Sequence, residues 1–167
     1  MCNLKKIYCG GRFYFDCRDE NYTAIAKLDY RSKLLGNVET LLSGCNEISI
    51  NSNTVYIGPY YFETIDMKAK DIIRIELSMI ECCTDAIFVF DTADCPGTIT
   101  ELIYAATKGK KIHIFYKEYA EHDETESDLH TPCWFPIHAA QALTNISLYK
   151  YKDYNTLSEI ITEKIFQ

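Results

Sequence analysis

No stretch of this chain approaches the roughly 20 consecutive apolar residues that cross a bilayer, so no membrane partner is expected. Basic residues are few and scattered: 17 Lys and Arg stand against 24 Asp and Glu, a formal net charge of -7. Without a basic stripe to neutralise phosphates, no nucleic-acid partner is expected either. The 8 Cys contain no C-x-x-C pair, and Cys82 and Cys83 are neighbours in a helix-like run. They read as reduced thiols that pack as small hydrophobes, which points to the cytoplasm rather than to a disulfide scaffold. His113, His122, His130 and His138 lack paired ligand spacing, so no metal is expected. The opening Met1 to Lys6 has no signal-peptide apolar region. There is no G-x-G-x-x-G and no Walker lysine, because Gly109-Lys110 reads as a helix-to-strand turn. Internal repeats and low-complexity tracts are absent too.

What is present is an ordinary globular composition, 47% hydrophobic and 25% charged, with 13 Tyr. A length of 167 residues suits a single domain over 1–167 with a core of its own. Lys6-Ile7-Tyr8-Cys9 reads as a buried strand ending in Gly10-Gly11. Helical spacing runs from Asn21 to Leu35 and stops at Gly36-Asn37, and Val38 to Leu42 reads as a further helical piece. Glu47 to Ile50 and Thr54 to Ile57 read as strands around an Asn51-Ser52-Asn53 turn. Asp71 to Cys83 is an amphipathic helix. Asp85 to Asp91 is a continuous apolar strand suited to the centre of a parallel sheet. A helix over Thr98 to Lys108, a strand over Lys111 to Tyr116 and an acidic loop over Glu118 to Asp128 follow. Short elements over Pro136 to Leu143, Ile146 to Tyr149 and Thr156 to Phe166 complete the chain. Strands alternating with helices predict an α/β fold with a parallel sheet.

Ligands of such sheets bind beyond the carboxyl ends of the strands. That rule selects Gly10 to Phe13, Gly58 to Phe62 and Asp91 to Glu101. In the last segment Asp91, Asp94 and Cys95 precede a Pro96-Gly97 turn, and Thr98 opens a helix whose amides favour anionic groups. Glu101 is the candidate reactive group. Its alternative is structural, since Thr98-Ile99-Thr100-Glu101 fits a capping box. Glu76 is either a site acid or an exposed carboxylate paired with Arg74. Arg12 is either an anion ligand or a surface ion-pair partner. Tyr56 to Glu63 carries an aromatic wall around Pro59 and Tyr60, and His113 reads as a packed histidine.

Four blocks then carry a resemblance. Ile7-Tyr8-Cys9-Gly10-Gly11 looks like an opening strand and small-residue turn, Arg74-Ile75-Glu76-Leu77 like a helix motif, and Thr84 to Val89 like an "aD-hydrophobic" strand. Pro96-Gly97-Thr98-Ile99-Thr100-Glu101-Leu102-Ile103-Tyr104-Ala105 looks like a "GT..E.gyA" block. Together, over about Ile7 to Phe115, the sequence resembles the nucleoside 2-deoxyribosyltransferase family and its relatives that hydrolyse nucleoside monophosphates. The resemblance implies a flavodoxin-like (Rossmann-like) parallel sheet of about five strands with helices on both faces. It implies a homo-oligomer and the family's central carboxylate at Glu101. Two positions depart from the pattern: the helix acid is Glu76 where Asp is usual, and Cys95 stands where a loop acid is expected, with Asp94 one step earlier. Thr131-Pro132-Cys133-Trp134-Phe135 occupies the place of the C-terminal binding motif.

The implied activity is cleavage or transfer at an N-glycosidic bond of a nucleoside or its 5′-monophosphate, without cofactor. Glu101 would act at the anomeric carbon, and Asp94 or Asp91 would protonate or hold the departing base. The expected binding residues are Tyr8, Gly10, Gly11, Arg12, Pro59, Tyr60, Glu76, Gly97, Thr98 and Trp134. Two rivals stand beside this: a binding module that senses a nucleotide-derived ligand, and a phosphoribosyl-acting, cytokinin-activating type enzyme, whose Pro-Gly-Gly-x-Gly-Thr-x-x-Glu motif is shortened here.

Overall fold

The apolar run Asp85–Phe90 is buried at every position, as a central strand covered on both faces must be. The computed structural model describes residues 4–11, 29–36, 47–59, 68–91, 95–117 and 134–167. In chain order these form β1 (Lys5–Gly11), α1 (Tyr30–Leu35), β2 (Ile48–Asn51), β3 (Thr54–Gly58), α2 (Ala69–Cys82) and β4 (Asp85–Phe90). Then come α3 (Pro96–Thr107), β5 (Lys111–Lys117), α4 (Trp134–Gln141), β6 (Ile146–Tyr151) and α5 (Tyr154–Ile165). Residues 21–28 of the expected first helix, the Val38 to Leu42 piece and the Glu118 to Asp128 loop lie outside the described residues.

The sheet has six strands in the order β2-β3-β1-β4-β5-β6. Five of them, β3-β1-β4-β5-β6, run parallel. Numbered among themselves they follow the flavodoxin-like order 2-1-3-4-5, so the order reverses between β1 and β4. The sixth strand, β2, is an antiparallel edge, one more than the expected five. The connection to β3 is two residues long, too short for any crossover, and Asn53 N–H donates to Asn51 Oδ1 at 2.9 Å across it.

Side-chain alternation sends residues to two cores. Tyr8, Phe88, Phe90, Ile112 and Ile114 pack with Ile80 of α2, Leu102 of α3 and Ile137 of α4. Ile7, Cys9, Ile87, Val89 and Phe115 pack on the opposite face with Tyr30 of α1 and Leu157, Ile161 and Ile165 of α5. The helix ends have identifiable stops. Asp29 caps α1 by accepting from the Arg31 amide, and Gly36 ends it with φ 67°. α2 has no basic residue in its last turn, but Lys110 Nζ donates to the Glu81 and Cys83 carbonyls at 2.6 and 2.8 Å. Among the described residues no helix is long and apolar enough to cross a membrane.

At the amino end of the sheet, His113 is a packed histidine: it is buried, and its Nε2 lies 3.3 Å from Asp85 Oδ1. Asp85 also accepts from the Thr84 hydroxyl at 2.8 Å. Although its burial acts the other way, contacts with His113, Thr84 and Lys111 hold the Asp85 carboxyl down to about 2. A depressed native pKa contributes stability above the unfolded value of 3.8, lost as pH falls toward about 2. Asp85→Asn is therefore expected to cost on the order of 1 kcal/mol at neutral pH, shrinking as acid titrates the wild type. Thermal unfolding of both proteins across that acid range checks it; a penalty independent of pH would contradict the assignment.

Candidate functional site

Gly10 has no room for a side chain. A Cβ there would lie 2.6 Å from Phe88 Cδ1 and 2.8 Å from Glu101 Oε2. The second carboxylate oxygen of Glu101 therefore rests directly over the end of β1, in space that any other residue would fill. This spot is next to the β1/β4 reversal, where ligands of doubly wound sheets bind.

Glu101 arrives there because α3 starts earlier than its sequence suggests. Cys95 is the N-cap and Pro96 the first helical residue, so Thr98 lies inside the helix and is buried. The capping-box alternative therefore fails: Glu101 is in the second turn, out of reach of an N-cap amide. Its carboxyl is pushed up to about 8, first by burial and then by the charge of Glu76, against the opposing effects of Tyr8 and Arg31. Glu76 is half-buried on α2, and burial raises its pKa also, against the Arg31 charge. It is not the exposed partner of Arg74, whose Nη1 lies 3.4 Å from Asp71. Two carboxyls in one desolvated setting titrate as a pair and hold a proton that isolated acids would release.

Tyr8 completes the cluster from β1. Its side chain has no solvent exposure, and burial followed by the charges of Glu101 and Glu76 raises its pKa. The phenol lies near enough to Glu101 to favour the carboxylate form, yet its Oη makes no aligned hydrogen bond among the described residues.

Behind β1 stand three residues that pattern reading did not single out. Arg31 has no exposure; its Nε donates to the Cys9 carbonyl and its Nη2 to the Gly11 carbonyl, both at 2.8 Å. Its Nη1 pairs with Asp29 Oδ2 at 2.8 Å. The Tyr30 hydroxyl donates to the Gly10 carbonyl at 3.0 Å. Nothing in the Asp29-Tyr30-Arg31 tripeptide marks it, because the partners are backbone carbonyls about 20 positions away.

The remaining expected residues divide. Asp91 ends β4 turned toward α5, where it accepts from the Tyr154 hydroxyl at 2.8 Å. Pro59 is buried and its carbonyl accepts from the Tyr56 hydroxyl. Gly97 is exposed at the start of α3. Cys95 is buried at that helix start. Arg12, Tyr60 and Asp94 lie outside the described residues, as does the Trp134 side chain. The structure thus brings together Tyr8, Gly10, Glu76 and Glu101, with Gly11 behind them against Arg31.

No protein-family model matches the chain, and no curated protein does. Among solved structures it is similar to the CMP N-glycosidase BcmB of Clostridium botulinum, with a TM-score of 0.55 and 12% sequence identity. The match covers 96% of this chain and 100% of that one. At that identity the likeness is one of fold, and it agrees with the flavodoxin-like architecture expected from the sequence.

A raised carboxyl pKa has a stability signature. Ionising Glu101 is harder in the native state than in the unfolded chain, so native stability falls as pH rises from 4.5 toward about 8. Glu101→Gln removes that burden. It is expected to be roughly 1–3 kcal/mol more stable than wild type at about pH 8.5 and nearly equal at about pH 4.5. Thermal or urea unfolding at both pH values reads this; equal stabilities at the alkaline value would show that Glu101 is not desolvated.

Proposed function

We propose that the chain cleaves the N-glycosidic bond of a nucleoside or nucleoside 5′-monophosphate, with Glu101 acting at the anomeric carbon. The observation that carries this reading is the Glu101 carboxyl seated on Gly10 beside Glu76 at the ligand end of the sheet. The fold shared with a CMP N-glycosidase supports it.

Glycosidic cleavage passes through an oxocarbenium-like state with positive charge on the sugar. Glu101 resists ionisation because of burial and the nearby Glu76 carboxylate. A cationic sugar reverses both effects, so the site binds the transition state more tightly than the neutral sugar. Glu101 forms a bond to the anomeric carbon as the bond to the base nitrogen breaks. The departing electron pair stays on the base, which takes a proton. Asp94 is the candidate donor; Asp91, engaged by Tyr154, is placed second. Water then releases the sugar, or a second base accepts it. Glu76 holds sugar hydroxyls, Tyr8 and Gly10 bound the sugar side, Arg12 and Gly97 are assigned to the polar rim, and the buried Gly11 and Thr98 back the site. Pro59, Tyr60 and Trp134 flank the base. The reaction draws on no cofactor, and the working form is a cytoplasmic homo-oligomer.

A second reading is a sensor that binds a nucleotide-derived ligand without turnover. The observation favouring it is Cys95 at the start of α3, where an acid was expected.

Incubation with a panel of nucleosides and nucleoside monophosphates, followed by chromatography of released base, separates the two. Base release is expected, and Glu101→Ala should lower it on the order of a thousandfold or more. Saturable binding without release would favour the sensor. If ionised Glu101 is the reactive form, kcat/KM should rise with pH, reach half its plateau near 8 and level off above it.

A further inference from the structure

Arg31 is a buried cation with a double attachment. Its guanidinium spans the Cys9 and Gly11 carbonyls at 2.8 Å each, and Gly10 between them carries the Glu101 carboxylate. Asp29 neutralises it at 2.8 Å and also caps α1 through the Arg31 amide. Gly11 leaves room for this approach: at φ 154° it has no side chain, and a Cβ would come within 3.2 Å of Arg31 Nη2. Such pairs are costly to bury, and this one also supplies donors to two strand-end carbonyls that an apolar residue would leave unsatisfied.

We propose that Arg31 and Asp29 are positioning residues of the Glu101 site: the pair fixes the strand end on which Glu101 rests, and its charge balance sets how readily the Glu76–Glu101 acids ionise. The inference rests on the proposed function for its catalytic meaning, though not for its test. Among the described residues, the charged and titratable groups around Glu101 are Tyr8 from β1, Glu76 from α2 and Tyr30 and Arg31 from α1, and of these Arg31 is the cation. Around Arg31 lie Asp29, Tyr30, Cys9 and, from β3, Tyr56. Arg31 favours the charged form of both acids, Glu76 and Glu101. Its influence reaches them through a dry strand end, where screening by salt is weak.

The test reads the Glu101 carboxyl directly, by NMR titration of carbon-13 labelled glutamates in the full chain, assigned with Glu101→Gln. Arg31→Met removes that cation and should raise the Glu101 midpoint by up to about one pH unit. Asp29→Asn keeps a good N-cap but removes the carboxylate that faces Arg31, and should lower the midpoint. Arg31→Lys keeps the charge without the fork and should stay near wild type. A merely structural role predicts loss of stability with no such opposed shifts. If Arg31→Met does not fold, Asp29→Asn decides alone: a lowered midpoint supports the inference, and an unmoved or raised one overturns it. The base-release assay keeps the two readings apart. Opposed shifts without cleavage of any nucleoside would remove the proposed function and leave the inference; Glu101-dependent cleavage with an immobile midpoint would do the reverse.

Discussion

A partly buried carboxyl group above the side-chain-free end of a strand is the constraint around which this molecule is arranged. Glu101 can occupy that place only because Gly10 presents no Cβ and because Phe88 fills the space beneath. Desolvation raises the energy of the charged form, and the neighbouring Glu76 raises it further. Natural sequences usually avoid such a pair unless something gains from it, since each buried charge weakens the native state. A cation forming in the pocket would turn the same two charges from a burden into an attraction.

Two acids at opposite ends of the sheet, Asp85 buried and Glu101 partly buried, make the role of environment plain. Asp85, at the amino end of β4, has His113, Thr84 and Lys111 around it and is held down to about 2. Glu101, at the carboxyl end, has another acid as its main charged neighbour and is pushed up to about 8. One carboxylate is satisfied and structural. The other is held up by burial and a like charge, the kind of setting in which candidate reactive acids are sought. The Arg31–Asp29 pair on the far side of β1 belongs to the second setting, because its guanidinium and Glu101 share the same three-residue strand end.

Sheet topology decides why this end carries the site. Chain order reverses between β1 and β4, the position at which doubly wound sheets open a ligand crevice. Gly10 and Gly11 close one of those strands, and α3 follows the other and brings in Glu101. The antiparallel β2 lies at the sheet edge beyond β3, away from that crevice.

The alternation of strands and helices, the buried run of β4 and the stops at Gly36 and Gly109 were legible in the sequence, because periodicity and turn chemistry are local properties. Glu101 was legible too, though beside a capping-box alternative that the true start of α3 at Pro96 removes. The contact of Gly10 with Glu101, the half-buried setting of Glu76, the engagement of Asp91 by Tyr154 and the whole Arg31–Asp29 arrangement were not. Each joins residues separated by many positions, and each depends on which face of the sheet a helix covers. Local sequence therefore determined the elements and nominated an acid. Only tertiary packing decided that acid's neighbours, and with them its proton affinity, because desolvation and charge act through space rather than along the chain.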